Sequence, residues 1–280
     1  VRQLDQVQVA LGDDLGDGAV AKLQKVAATF DTEILNIGSG INAISDSTKA
    51  NAGFLTEWIT RLAGTSKQVN ISAGDVLGYG TTLDELGLKV EMGSTALNGF
   101  LMDFVKNTEK FGNVAGFARG ELSQLIGEKG TNEGFISFLE RLKEGSSSSQ
   151  DFLRKLEAVG VTGDRGSQVF LALSQNLGQL RERQALANDE IEKGTSLTNE
   201  FNKRNNNLAG KLEKLGKKLN AIWANSTLKS GIEFFVDKLV DYTKVPVSQK
   251  LKSEYVSMNS LVNQITDANV SQEKRNELIK

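Results

Sequence analysis

A single proline, Pro246, interrupts 280 residues, and apolar side chains recur at three- and four-residue spacing through nearly all of the rest. Proline normally punctuates turns and stops helices, so a chain this poor in it is unsuited to a many-turned β fold. No stretch shows sustained alternation of period two. The expected fold class is all-α: a multi-helix core with one long amphipathic helix or helical hairpin, and no substantial sheet. The punctuation falls to 28 glycines, a tenth of the chain. Glycine inside a helix costs about 0.5–1 kcal/mol relative to alanine, so many should be helix ends and others sites of close helix contact. Spacing alone does not sort the two.

Local signals place several helices. After Gly16-Asp17-Gly18, the residues Val20, Leu23, Val26, Ala27 and Phe30 share one helical face. A second helix lies within Asp46 to Val69, carrying Phe54, Leu55, Trp58, Ile59 and Leu62. Ser72 reads as an N-cap with Asp75 at N3, for a helix that runs to about Leu86 and stops at Gly87. Met92 to Val105 follows, then short pieces around Arg119–Ile126 and Gly134–Leu142, with glycines 112, 116, 120, 127, 130 and 134 as joints. Ser146–Ser149 form a cap cluster before Phe152–Val159.

The strongest periodicity runs from Val169 through Leu173, Leu177, Leu180, Gln184, Ala187, Ile191, Gly194, Thr198, Phe201, Asn205, Leu208, Leu212, Leu215 and Leu219 to Ile222. After the first step the spacing alternates between three and four, a heptad seam. As one helix it would span about 80 Å at 1.5 Å per residue. Its centre is polar or small at Gln184, Gly194, Thr198 and Asn205. Two readings stay open: two core-packing helices that meet near Gly194, or one long helix with a self-association seam. The candidate packing or self-association residues are Leu173, Leu177, Leu180, Ile191, Leu208, Leu212, Leu215, Leu219 and Ile222. The chain divides into a multi-helix core over 1–165, the heptad-patterned helix or hairpin over 166–230, and short helices over 231–280 that begin a downstream region. Both ends lie in helical pattern, which suggests a piece of a longer protein.

Chemistry is narrowed by what is missing. With no histidine and no cysteine there is no His-based triad or metal ligand and no thiolate or thiolate metal site. Gly38-Ser39-Gly40-Ile41-Asn42-Ala43 fits G-x-G-x-x-A after the strand-like Ile34–Ile37, with Glu57 where a ribose-binding acid would sit. No second parallel strand follows, so a helix–glycine–helix joint is the expectation. Asp13-Asp14-Leu15-Gly16-Asp17-Gly18 hints at a calcium loop, but Leu15 and Gln24 occupy ligand positions. Lys203, Arg204, Lys211, Lys214, Lys217 and Lys218 could follow a phosphate backbone; without interleaved aromatics a solvated helix face is expected, and DNA contact has only weak support. The pairs Asp84/Glu85 and Asp189/Glu190 are adjacent and point apart on a helix. No catalytic residue, cofactor site or metal site is expected.

Three segments, in order, resemble one family. ISAGDVLGYGTTLDELGLKVEMGSTALNGFL, Ile71 to Leu101, resembles the core of phage tail tape measure proteins: a helix, a Gly-Leu turn (Gly87-Leu88), then a small-residue helix start (Gly93-Ser94-Thr95-Ala96-Leu97). FISFLERLKEG and DFLRKLEAVGVTGDRGSQVFLALSQNLGQL are similar to the family's next region, ending at Leu173, Gln175, Asn176 and Leu177; Val159-Gly160-Val161-Thr162 departs from its usual turn. NNNLAGKLEKLGKKLNAIW, Asn205 to Trp223, resembles its closing helix. The resemblance covers about residues 17–230. It implies a non-enzymatic structural protein that sets tail length by templating tail-tube polymerisation and occupies the tube lumen, assembled in the bacterial cytoplasm. The implied partners are the tail tube protein, tail assembly chaperones and a tail tip or baseplate, with homo-oligomerisation possible. The competing class is a generic helical scaffolding or secretion-apparatus assembly protein.

Overall fold

The computed structural model describes residues 2–15, 18–207 and 211, and these are helical with no strand. In chain order the helices are α1 (Arg2–Leu15), α2 (Ala19–Thr29), α3 (Ile34–Ser47), α4 (Ala52–Gln68), α5 (Ala73–Glu85) and α6 (Val90–Lys106). They continue with α7 (Thr108–Ala115), α8 (Glu121–Lys129), α9 (Thr131–Glu144), α10 (Ser149–Ala158), α11 (Asp164–Gln175) and α12 (Leu177–Lys193), and a helix over 196–207 follows. The described residues fall into two units: Leu11–Thr198, and a second that includes residues 2–10 and 199–207. In the second unit, Glu200 receives Lys203 Nζ at 3.5 Å and Arg204 Nε at 2.8 Å, one turn along the helix.

The helix boundaries follow from capping chemistry. Ser72 Oγ accepts from the Asp75 N–H at 3.0 Å, Asn51 Oδ1 from Phe54 at 3.0 Å, and Ser148 Oγ from Asp151 at 3.2 Å. Each satisfies a backbone donor that the first turn leaves open. At the other end of α5, Gly87 takes φ +75°. Its N–H bonds Asp84 O at 2.8 Å while Leu88 N–H reaches Leu83 O at 3.0 Å, the paired closure of a Schellman motif. The same closure recurs at Gly116 and Gly160.

Two apolar centres organise Leu11–Thr198. In the first, Phe100 and Phe104 of α6, Phe111 of α7, Phe135 and Phe138 of α9 and Phe170 of α11 form one ring cluster. Phe100 lies 4.4 Å from Phe170, and Phe104 meets Phe111 edge-on at 5.2 Å. Such offset and edge contacts add about 0.5–1.5 kcal/mol per pair beyond burial. In the second, the indole of Trp58 is fully buried and its Nε1–H donates to Val76 O at 2.7 Å. Two neighbouring helices approach that ring over glycine: a Cβ on Gly80 would stand 2.5 Å from Trp58 Cδ1, and one on Gly93 2.7 Å from Cζ3.

The structure corrects three local expectations. Ile34–Ile37 is the first turn of α3, not a strand. This helix packs among α2, α4, α5 and α12, and Ile37 through Ile44 are all buried. A helix covered on all sides is apolar all round and loses the periodicity that betrays it. Gly38 and Gly40 therefore lie inside a helix rather than at a joint, and the dinucleotide reading has no strand to support it. Of the six glycines expected as joints, Gly116, Gly120 and Gly130 have positive φ, whereas Gly112, Gly127 and Gly134 are within helices.

Candidate functional site

The heptad seam is interrupted twice among the described residues. Asn176, at φ −121° and ψ 31°, separates α11 from α12, and Gly194, at φ +65°, ends α12. Leu173 on α11 and Leu180 on α12 are buried, and Leu177 and Ile191 are half-buried. Leu208, Leu212, Leu215, Leu219 and Ile222 lie outside the described residues, as do Lys214, Lys217 and Lys218 of the basic stretch and Gly16 and Asp17 of the acidic turn, whose Asp13, Asp14 and Leu15 are the end of α1.

Helix α12 lies in a channel made by α5 and α3, its two principal neighbours. The channel floor is glycine. A Cβ on Gly74 would sit 2.6 Å from the Asn188 backbone N, and one on Gly78 2.8 Å from the Gln184 backbone N. On α3, a Cβ on Gly40 would stand 2.7 Å from Ile191 Cγ1. These distances leave no room for any other residue without displacing α12. The four-residue spacing of Gly74 and Gly78 puts both on the face of α5 that meets α12.

Side chains of α12 complete the contact with hydrogen bonds. Gln184 is buried; its Nε2 donates to Asn132 Oδ1 at 2.9 Å and to Asp75 O at 3.3 Å, while Asn132 Nδ2 returns a bond to Gln184 Oε1 at 3.2 Å. The hydroxyl of Tyr79 also donates to Asn132 Oδ1. Burial, reinforced by the nearby Asp75 carboxylate, holds the Tyr79 phenol protonated well above its ordinary range. It therefore serves as a fixed donor. One turn along α12, Asn188 Nδ2 donates to Asp75 Oδ1 at 2.8 Å and Asn188 Oδ1 accepts from Ser72 Oγ at 2.8 Å, so the α5 cap is part of the same set. Glu85 takes Gln179 Nε2 at 2.6 Å and Arg183 at 3.3 Å. Arg181 grips Glu133 of α9 with two bonds of 2.7 and 2.8 Å, which hold the Glu133 carboxyl below its usual range.

The balance of forces is unusual for a central helix. Only Leu180, Gln184 and Ala187 of α12 are buried, and one of the three is polar. A fully buried leucine contributes about 1.5–3 kcal/mol, a typical satisfied hydrogen bond about 0.5–1.5 kcal/mol net. The polar set is thus comparable in weight to the apolar anchor. It also specifies register, because a shift of α12 by one residue would take the Gln184 amide away from Asn132 and from Asp75 O in a buried site.

A separate open groove of about 970 Å³ runs beside the α5–α6 turn, lined by Leu86, Met92, Thr95 and Ala96 against Thr162 and Arg165. A smaller hollow of about 370 Å³ adjoins it at Ala96, Thr162 and Gly166 and is backed by Phe100 and Phe170. Its lining brings together no pair of facing carboxylates.

Among the described residues no group of three or more acidic side chains is placed to hold a metal ion, and no helix is long and apolar enough to cross a membrane. Asp84 and Glu85 both reach the α3–α4 connection, Asp84 Oδ2 accepting from the Asn51 N–H at 2.7 Å and Glu85 Oε1 from the Lys49 N–H at 3.4 Å, while Glu85 also takes Gln179 of α12. Asp189 pairs with Lys193 at 2.6 Å, while Glu190 accepts the Thr195 N–H at 2.9 Å beyond the Gly194 corner. No family model, no curated protein and no solved structure matches the chain.

Spacing arguments missed Tyr79, Asn132, Asn188, Gln179 and Arg183 as members of the α12 contact. The available signals were Gln184 on the seam and the Gly74/Gly78 spacing, both visible but unconnected without the fold.

Proposed function

We propose that the chain is a non-catalytic structural protein of the phage tail tape measure kind. It occupies the lumen of the tail tube, sets tail length while tube subunits polymerise around it, and is assembled in the cytoplasm of the bacterial host. Its partners in this reading are the tail tube protein, tail assembly chaperones and the tail tip or baseplate. The observation that carries the proposal is the form taken by the family-like segment from Ile71 to Leu101. That segment is a helix–turn–helix: α5, the αL turn at Gly87, and α6, with Gly93 and Ser94 buried at the start of α6. The all-helical character of the described residues supports it as well, since a length gauge needs helix rather than chemistry.

Deleting 35 residues in frame from the seam region, in a phage that carries the gene, should shorten the tail by about 50 Å if that region is extended helix in the tube. Tail lengths unchanged by electron microscopy would refute the extended-helix form of the gauge over this region. Tube and tail-chaperone genes beside this one support the tail reading; neighbours encoding a secretion apparatus support the scaffolding class.

A further inference from the structure

The joint between α11 and α12 carries a conflict between local sequence and tertiary packing. One residue, Asn176, separates the two helices, and it is neither proline nor glycine. The seam residues Val169, Leu173, Leu177, Leu180, Gln184, Ala187 and Ile191 keep their three- and four-residue spacing straight through it. Locally, the segment encodes one continuous helix. The break is held by the Asn176 side chain, whose Nδ2 donates to Ala172 O at 2.8 Å, and by anchoring on both sides: Phe170 of α11 is fixed in the phenylalanine cluster, and α12 is seated in its glycine-floored channel. Returning Asn176 to helical backbone angles would give a single helix over 164–193, about 45 Å long. Its α12 half would then leave its own channel.

The vacated channel has one matching occupant. Its floor at Gly40, Gly74 and Gly78 fits the backbone of α12. Its polar wall, made of Ser72, Asp75, Tyr79, Glu85 and Asn132, is satisfied by Gln179, Arg183, Gln184 and Asn188 of that helix. A second copy of the chain carries the same pair of surfaces. We propose that α12 is an exchangeable strap: the Asn176 joint straightens, and the α12 of each copy closes the channel of the other in a domain-swapped dimer. Because hydrogen bonds weigh about as much as the apolar anchor in holding the strap, water can take over that share of the contact as it opens.

The absence of cysteine from the chain makes the test direct, since any thiol is an introduced one. Ser72 Oγ and Asn188 Oδ1 lie 2.8 Å apart across the strap contact. The full chain is made as Ser72→Cys, as Asn188→Cys, and as the double variant. In the double variant, oxidation of dilute protein should join the two sites within one chain. The single variants, mixed, unfolded in urea, refolded together at high concentration and oxidised, should yield a disulfide between position 72 of one chain and 188 of the other. Peptide mass analysis identifies the link, and its yield should rise with protein concentration to at least tenfold over same-site dimers. Closure in the double variant without any cross-chain 72–188 link in the mixture overturns the proposal. Asn176→Ala supplies an independent readout, because it favours the straight joint. It should raise the dimer fraction several-fold by light scattering. A monomeric mass for this variant at every concentration after the same refolding overturns the proposal whatever the thiols do.

Discussion

Replacing Gly78 by alanine should destabilise the protein, although the same change at an open helical glycine such as Gly64 should stabilise it. The added methyl at Gly78 would lie 2.8 Å from the Gln184 backbone N and 3.0 Å from its Cα. Backbone cannot swing aside as a side chain can, so α12 must lift. Overpacking of this kind costs about 1–3 kcal/mol. The lift also stretches the Gln184 bonds to Asn132 and Asp75, at about 1 kcal/mol each. Against this stands a gain of about 0.8–1 kcal/mol from removing glycine from a helix interior. The net loss is about 3 kcal/mol. At about 2–4 °C per kcal/mol for a domain of this size, the melting midpoint should fall by about 6–12 °C. Gly64 of α4 is the control. It is exposed, and a Cβ there would meet nothing within 4 Å, so Gly64→Ala should stabilise by about 0.5–1 kcal/mol. Urea unfolding followed by the fluorescence of Trp58, in a background where Trp223→Phe leaves it as the one indole, gives both values. If Gly78→Ala stabilises as much as Gly64→Ala, the close approach of α5 and α12 is wrong.

Three further outcomes are expected. Gln184→Leu keeps the volume but strips Asn132 of two hydrogen bonds, and urea unfolding should show a loss of about 1–3 kcal/mol, with the Tyr79 phenol still protonated at pH 9 by ultraviolet absorbance. Phe100→Ala removes the ring that touches five others in the cluster and should cost about 3–5 kcal/mol in the same assay. Arg181→Met releases Glu133, whose carboxyl is held below its ordinary range chiefly by the Arg181 hydrogen bonds. A depressed acid stabilises the fold above its unfolded pKa and loses that contribution as pH falls through the folded value. The midpoint gap between wild type and this variant should therefore be present at pH 7 and vanish in acid; a gap that persists below pH 3 would refute the pairing.

Much of the fold was legible where a local signal decides the outcome. Ser72 with Asp75, Gly87 and the Ser146–Ser149 cluster each placed a helix end correctly, because capping chemistry is complete within five or six residues. The α3 segment was misread because its environment, buried on every side, erases the periodicity on which reading depends. The Asn176 corner was illegible for a related reason. The apolar spacing runs through it unbroken, and the break is held by the Asn176 amide on Ala172 O together with the separate berths of Phe170 and α12. The glycines could not be sorted from sequence, since Gly78 and Gly64 carry the same local signature and differ only in what lies opposite. Gln184 looked like a weak point of an apolar seam. It is instead the centre of the polar contact, which could be seen only once Asn132 and Tyr79 were brought beside it.

The way α12 is held has a mechanical consequence. A pull that enters at Thr198 first draws on Leu197, buried against Gly38 of α3 with its N–H on Ser39 Oγ at 3.2 Å, and on Ser196, whose Oγ accepts from Asn42 at 2.7 Å; α12 and its series of hydrogen bonds come next. The segment from Leu177 to Thr198 is 22 residues, so its full release pays out about 75 Å of extended chain at 3.3–3.6 Å per residue. Through that entire extension the six phenylalanine rings stay interlocked, because none of them is on the strap. The unit combines a compliant element in series with a stiff one, and its first response to tension is to lengthen rather than to break.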